Sequence, residues 1–240
     1  MALNRETTTY HTVAANLQRW IQSGDLPPGS PLPSERALCD RLGVSRVNAR
    51  DALHFLENQG LVYRMNRVGW FVAPEVFIYD PTRTHSLLDE ARHHQRRLTT
   101  ELLTAERMVP PRQVARRLGM SEQPQAFQVM RRRAVDGRWV LLEQCWFRQA
   151  AFPELLEQDL SGSLTALVRD RYGYRQRQLE VAISSKPLTD DQAQHLRVRE
   201  GSAALQLVRE VQAGGECIVV EVEYWLHDAI EMRMGGRSAV

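Results

Sequence analysis

The sequence predicts an α+β chain built from two unlike parts, and three observations carry that prediction. In the first seventy residues, apolar positions recur at helical spacing in three segments and then at strand spacing in a hairpin. After Ala73 the chain reaches Pro74 and Pro81 around a short strand-like run, Val76 to Tyr79, as a connection between domains would. Beyond it an internal repeat emerges at an offset of 78 residues. The expected boundaries are residues 1–73, a linker over 74–85 and a second domain over 86–240.

Composition narrows the function classes. The 240 residues are 43% hydrophobic and 25% charged, enough to bury a core in each part. No apolar run approaches the ~18 residues of a membrane helix, and Met1 to Thr9 is polar, so neither a membrane partner nor a secretory leader is expected. Cys39, Cys145 and Cys217 are too scattered for a disulfide framework or a Cys-rich zinc site, which fits a cytoplasmic chain. Net charge is only +2, but of the 31 basic residues Lys186 is the only lysine. Arginine presents a planar fork to phosphates, phosphonates and guanine edges. A codon bias explains the total equally well, so placement has to decide.

Val13, Leu17 and Trp20/Ile21 mark an amphipathic helix from about Tyr10 to Ser23, broken by Gly24 and Pro27-Pro28-Gly29. Ser34 caps a short second helix with Leu38 and Leu42 inward and Gly43 as its stop. Ser45 caps a third helix whose Ala49, Ala52, Leu53 and Leu56 form one apolar stripe, ended by Gly60. Its other face carries Val47, Arg50, Asp51 and His54, with Arg46 in the first turn. Two helices on a tight turn, the second with arginines at its N-terminal end, form the helix-turn-helix arrangement for the major groove. Leu61 to Arg64 and Trp70 to Val72 then flank a basic tip, a hairpin wing.

The string LPSERALCDRLGVSRVNARDALHFLENQGLVYRMNRVGWFV, Leu32 to Val72, resembles the DNA-binding domain of the GntR family of bacterial repressors. The resemblance implies contacts to double-stranded DNA from Arg36, Ser45, Arg46, Asn48 and Arg50, with the wing around Asn66 and Arg67. Many wings of that family read Gln-Gly-Lys-Gly, whereas this one reads Asn66-Arg67-Val68-Gly69. Arg67 stands where the family has glycine, which puts the turn geometry and the minor-groove contact in question.

In the remainder, Leu118, Glu122, Ala126, Gln128, Arg131, Gly137 and Glu143 recur as Leu196, Glu200, Ala204, Gln206, Arg209, Gly215 and Glu221. Each half reads as a short helix, a strand, a Gly turn (Asp136-Gly137 or Gly214-Gly215) and a return strand. The two units are expected to pair into one antiparallel sheet with helices on it. Arg131 and Arg133 share a strand face with Phe127 and Val129. A three-residue loop Asp136-Gly137-Arg138 sets Arg131 opposite Glu143, whereas a two-residue loop pairs Met130 with Glu143 and throws the carboxylate to the other side. The three-residue loop is the expectation adopted, because it gathers two arginines and a carboxylate into the makings of an anion pocket.

The order Arg-x-Arg, Gly, Glu143, then Ser163-Leu164-Thr165 and Tyr224-x-x-x-Asp228 resembles the UTRA effector domain, with its chorismate-lyase-like fold, of the HutC branch of the GntR family. In relatives sensing phosphorylated amino sugars, matching arginines, a serine and a Ser-x-Tyr motif bind the phosphate. The resemblance therefore implies an effector site of Ser86, Arg131, Arg133, Ser163 and Thr165, with Glu143 toward the rest of the ligand and Tyr224 in the same motif set. Thr165 replaces the usual tyrosine, and Val219 stands where a glutamate is common. The wing and the linker Tyr79-Asp80-Pro81-Thr82-Arg83 are similar to regulators of phosphonate utilisation, which points to 2-aminoethylphosphonate. Such a zwitterion needs arginines for its phosphonate and a carboxylate for its ammonium, for which Glu143, Glu221 and Glu223 are candidates, unless the last two only solvate a strand face.

The chain lacks a Walker A loop, GxGxxG, GxSxG and HExxH, and adjacent His93-His94 diverge by ~100° on a helix, so no cofactor, metal or catalytic residue is expected. The reading is a homodimeric repressor that grips an inverted-repeat operator and releases it when a small anionic effector binds. The same regulator sensing an amino-sugar phosphate, or a DNA-tethered lyase-like enzyme, are the alternatives.

Overall fold

The computed structural model describes residues 9–82, 86–121, 125–174 and 177–235. Arg83 of the linker resemblance and Glu122 of the repeat lie outside the described residues. The chain divides into two compact units, Met1–Glu75 and Val76–Val240.

The first unit holds α1 (Tyr10–Gln22), α2 (Glu35–Leu42) and α3 (Arg46–Asn58), then β1 (Val62–Met65) and β2 (Gly69–Val72) paired antiparallel. The Ser34 hydroxyl accepts from the Ala37 N–H and the Ser45 hydroxyl from the Asn48 N–H, both at 3.2 Å, so each helix starts where its cap was expected. Gly43 leaves α2 in the left-handed region (φ 66°), which keeps the turn into α3 tight. Val13, Leu17, Leu38, Ala49, Leu53, Leu56 and Trp70 are buried together as its core. In the wing the Val68 N–H donates to the Met65 carbonyl (3.1 Å), and Arg67 takes φ 63°. The wing turn thus places an arginine in the left-handed conformation that favours glycine.

The second unit runs β3 (Phe77–Tyr79), α4 (Leu87–His93), β4 (Leu98–Met108), α5 (Arg112–Arg117), β5 (Ala126–Val135), β6 (Arg138–Arg148), two single 3₁₀ turns, α6 (Leu164–Asp170), β7 (Arg177–Pro187), α7 (Asp190–Leu196), β8 (Ala203–Ala213), β9 (Glu216–Leu226) and β10 (Ile230–Met232). One six-stranded antiparallel sheet has the order β4-β5-β6-β9-β8-β7, and β10 pairs parallel with β3. Phe77 and Tyr79, inside the segment expected as a linker, are buried in the core of this unit.

The repeat is a β-α-β-β unit, β4-α5-β5-β6 followed by β7-α7-β8-β9. Its opening strand is missing from the sequence reading because β4 lies at the sheet edge and alternates no clear apolar face. At the centre Gln144 of β6 pairs with Val222 of β9. These two positions are themselves repeat equivalents, so an approximate two-fold axis passes between them.

The hairpin loop differs from expectation. Val135 pairs with Arg138, leaving a two-residue turn at Asp136 (φ 48°) and Gly137 (φ 87°), the double positive φ of a type I′ turn. The register then shifts between Arg133 and Ala134, where Val140 is the extra residue of a β-bulge, and beyond it Arg131 does stand opposite Glu143. The expected pairing therefore holds, but a bulge sets it rather than a three-residue loop. The other half repeats the device: Gly214 (φ 61°) and Gly215 (φ 84°) turn the chain, and the register shifts between Val211 and Gln212.

Alternation along the strands gives the sheet two faces. One is covered by α5, whose Val114 and Leu118 pack on Trp146 and Val220, and by α7, whose His195 carbonyl accepts from Arg132 Nη1 (2.9 Å). The other is covered at one end by Phe152, Leu155, Leu164 and Val168, packed on Phe127 and Phe147. At its other end Phe77 and Tyr79 pack on Trp225.

Candidate functional site

In the first unit, α2, α3 and the wing converge on one groove of about 560 Å³. Arg36, Arg46, Arg50, Arg64 and Arg67 line it with Glu35 as the acidic member. Arg36, Ser45, Arg46, Arg50, Asn66 and Arg67 are exposed and Asn48 half-buried. Ser45 caps α3 through its hydroxyl, which leaves Arg46 in the first turn of that helix. Glu35 of α2 holds Arg50 of α3 through Nη2 at 2.9 Å and Nε at 3.3 Å. Hydrogen bonding from Arg50 keeps the Glu35 carboxyl below its usual range, so Glu35 remains an anion that aims the guanidinium. Arg64 was missed as a site residue. Its signal was alternation in β1, where Val62 is buried and Arg64 shares its parity, so only the pairing of Arg64 with Trp70 beside the wing shows it lining the groove. His54 is half-buried, its ring 5.2 Å from that of the lining residue Trp70, and does not itself line the groove.

In the second unit Arg131, Arg133, Glu143, Glu221 and Glu223 meet between the two apolar ends of one sheet face. Arg131 on β5 is 1% exposed and donates from Nε to Glu143 Oε1, and from Nη1 to the carbonyls of Leu160 (3.0 Å) and Gly162 (2.6 Å). Arg133, 6% exposed, donates from Nη2 to the same Glu143 oxygen at 3.2 Å. Among the described residues its buried Nε–H makes no hydrogen bond. Burial raises the Glu143 pKa, but Arg131 and Arg133 outweigh it and hold the carboxyl below its ordinary value.

Glu223 on β9 is directly opposite Glu143, and Glu221 is opposite Arg209 on β8, as Glu143 is opposite Arg131. Arg209 donates to Glu221 (2.5 Å), Glu223 (2.6 Å) and the Tyr79 hydroxyl (2.7 Å). Trp225 Nε1 donates to the other Glu223 oxygen at 2.7 Å. Burial, then the neighbouring Glu221 and Glu143, push the Glu223 carboxyl up despite Arg209. Neither Glu221 nor Glu223 solvates a strand face: their side chains are 17% and 6% exposed. The band is thus lopsided. Its first-repeat side carries two guanidiniums and one carboxylate, and its second-repeat side one guanidinium and two carboxylates.

Other expected members are placed less centrally. Ser163 caps α6, accepting from the Ala166 N–H (3.2 Å), directly after the Gly162 carbonyl that Arg131 holds. Thr165 follows it, half-buried. Ser86 is buried but caps α4, accepting from the Asp89 N–H and donating to Asp89 Oδ2 at 2.7 Å. Tyr224 needs correction: it neighbours Glu223 in sequence and so points to the opposite face, where its hydroxyl accepts from Gln206 Nε2 at 2.9 Å. Tyr79 and Arg209 were missed: Arg209 had a signal in its repeat equivalence to Arg131, whereas nothing in sequence spacing brings residue 79 beside residue 209.

Comparisons with known proteins agree with this architecture. A family model described as bacterial regulatory proteins, gntR family, matches residues 9–72, and one described as the UTRA domain matches residues 93–231. The histidine utilization repressor of Pseudomonas aeruginosa is 27% identical over 241 residues, spanning 95% of this chain and 90% of that protein. The uncharacterized regulator YihL of Escherichia coli is 24% identical, spanning 97% and 98% respectively. Among solved structures, PhnF from Mycobacterium smegmatis superposes with a TM-score of 0.66 at 22% identity, covering 94% of this chain and 99% of that one, a likeness of fold. No helix among the described residues is long and apolar enough to cross a membrane.

Proposed function

We propose that this chain, which belongs to the gntR family of bacterial regulatory proteins and carries a UTRA domain, is a cytoplasmic homodimeric repressor released from its operator by a small zwitterion bearing a phosphonate or phosphate, 2-aminoethylphosphonate being the reading adopted. The observation that carries the effector class is the lopsided charge of the buried band. The Arg131/Arg133 side, on β5, takes the anion and the Glu221/Glu223 side, on β9, takes the ammonium, with β6 and its Glu143 between them and each strand ~5 Å from the next. Arg133 contributes the Nε–H that makes no hydrogen bond among the described residues, while Arg131 exchanges the Leu160 and Gly162 carbonyls for ligand oxygens. A buried donor without a partner is costly, and binding an anion there removes that cost.

At the operator, Arg46 and Arg50 reach guanine edges or phosphates from the first turns of α3, and Arg36, Arg64 and Arg67 add phosphate and wing contacts. Two copies present two recognition helices to the two half-sites of an inverted repeat, and the effector prefers the arrangement that no longer matches their spacing. The fold by itself hosts many chemistries, so the non-enzymatic reading rests on the naming of its relatives as regulators and on a band of paired ions with no activated nucleophile.

A thermal-shift screen tests this reading directly. 2-Aminoethylphosphonate is expected to raise the melting temperature without being consumed, and to release the protein from its operator. Stabilisation by glucosamine 6-phosphate alone transfers the assignment to an amino-sugar phosphate, and formation of product overturns the regulatory reading.

A further inference from the structure

Both hydrogen-bond donors to Glu223 touch one residue of the strand that opens the second unit. Arg209 Nη2 holds Glu223 Oε1 while its Nη1 holds the Tyr79 hydroxyl. Trp225 Nε1 holds Glu223 Oε2 while its ring lies 5.5 Å from that of Tyr79. Phe77, two residues earlier, is stacked on the same indole with ring centroids 6.3 Å apart. Tyr79 is 3% exposed and Phe77 1%. β3 is also held by a three-residue parallel ladder to Ile230–Met232, extended by the Phe77 N–H on the Ala229 carbonyl (2.9 Å) and the Arg233 N–H on the Tyr79 carbonyl (3.0 Å), and by the Phe77 ring edge-on to His94 at 6.1 Å. It begins two residues beyond the boundary of the DNA-binding unit at Glu75.

We infer that Tyr79 is a positioning residue through which occupancy of the carboxylate side of the band is passed to β3, and so to the chain segment entering from the DNA-binding unit. A cation engaging Glu223 competes with Arg209 and Trp225 for its two oxygens. Each of those donors then shifts against Tyr79, and Tyr79 carries the shift into β3 and its short ladder with β10. A paired guanidinium in the same place on the other repeat makes no such link: Arg131 reaches the Leu160 and Gly162 carbonyls instead. The inference rests on the effector reading above only for the identity of the cation; the route through Tyr79 stands on the contacts themselves.

Hydrogen exchange on the full-length protein without ligand separates the two. Glu223→Gln removes the charge that a bound ammonium would neutralise. Amides of Phe77–Tyr79 and Ile230–Met232 are expected to exchange about threefold faster or more in this variant, with those of β5 and β6 unchanged. In a Tyr79→Phe background, which keeps the ring packing and loses the hydroxyl, Glu223→Gln is expected to add less than half of that change. Unchanged exchange in β3, acceleration spread evenly over the sheet, or an undiminished response in the Tyr79→Phe background overturns the inference. A second arm adds 2-aminoethylphosphonate to wild type: if the substitution arm responds as expected and this one is silent, the route holds and the effector assignment fails.

Discussion

Arg131 and Arg209 occupy equivalent positions in the two halves of one sheet, each directly opposite its own glutamate, yet only one of them is closed off by a second carboxylate. Arg209 shares Glu221 and Glu223, which outweigh burial and hold its pKa well above the ordinary value. Arg131 shares its single carboxylate with a second arginine, Arg133. The two arginine–glutamate pairs are repeat equivalents, whereas Arg133 and Glu223 have Val211 and Cys145 at the equivalent positions, and these two residues make one side richer in guanidinium and the other in carboxylate.

Removing the arginines separates stability from binding. Arg131→Met strips Glu143 of its nearer partner inside the core and is expected to cost about 3–5 kcal/mol in urea unfolding. Arg133→Met leaves the Arg131–Glu143 pair intact. It is expected to lower stability by less than about 1.5 kcal/mol while abolishing the thermal shift given by the effector, so that the variant stays on its operator with effector present. Equal damage to both properties in both variants contradicts the division.

At the other end, Arg50→Ala is expected to cost about 1–3 kcal/mol of operator affinity and to leave effector-induced stabilisation intact. Glu35→Gln tests how Arg50 is aimed. With the anion gone, binding to arbitrary DNA is expected to strengthen and the ratio of operator to arbitrary affinity to fall, measured by fluorescence anisotropy at fixed salt.

The wing makes a two-sided prediction. Arg67→Gly relieves the left-handed arginine and is expected to stabilise the protein by about 1 kcal/mol. With Arg67 placed on a phosphate, as proposed, the slope of log affinity against log salt is also expected to become shallower by about one. A stability gain without a change of slope takes Arg67 off the DNA.

Acid has opposing effects within the band. The folded-state pKa of Glu143 lies below 4.5, so its contribution is full above that value and is lost as pH falls through the lowered one. Glu223 is shifted upward from 4.5, so the folded protein takes up its proton first, and stability rises as pH falls through that raised value toward 4.5. Glu143→Gln is therefore expected to flatten the loss of stability below about pH 4.5, and Glu223→Gln to remove a gain just above it. Both are read from denaturation midpoints across pH.

Local chemistry settled much of this protein before any tertiary contact was known. Ser34, Gly43 and Ser45 delimit helices through hydrogen bonds that reach no more than a few residues, and the offset of 78 residues announced two equivalent halves of a sheet. Periodicity likewise put Arg131, Arg133, Phe127 and Val129 on one face, since side chains alternate wherever a strand forms. The register of the β5–β6 hairpin depended on something else. A bulge at Val140 adds one residue to a two-residue turn, and no residue type there signals it, because a bulge is chosen by how both strands pack on the rest of the sheet. Only the folded chain, too, could bring Tyr79 to Arg209 across 130 positions of sequence. Packing of β3 on Trp225 made that contact, and packing between distant segments leaves no spacing in the sequence to read.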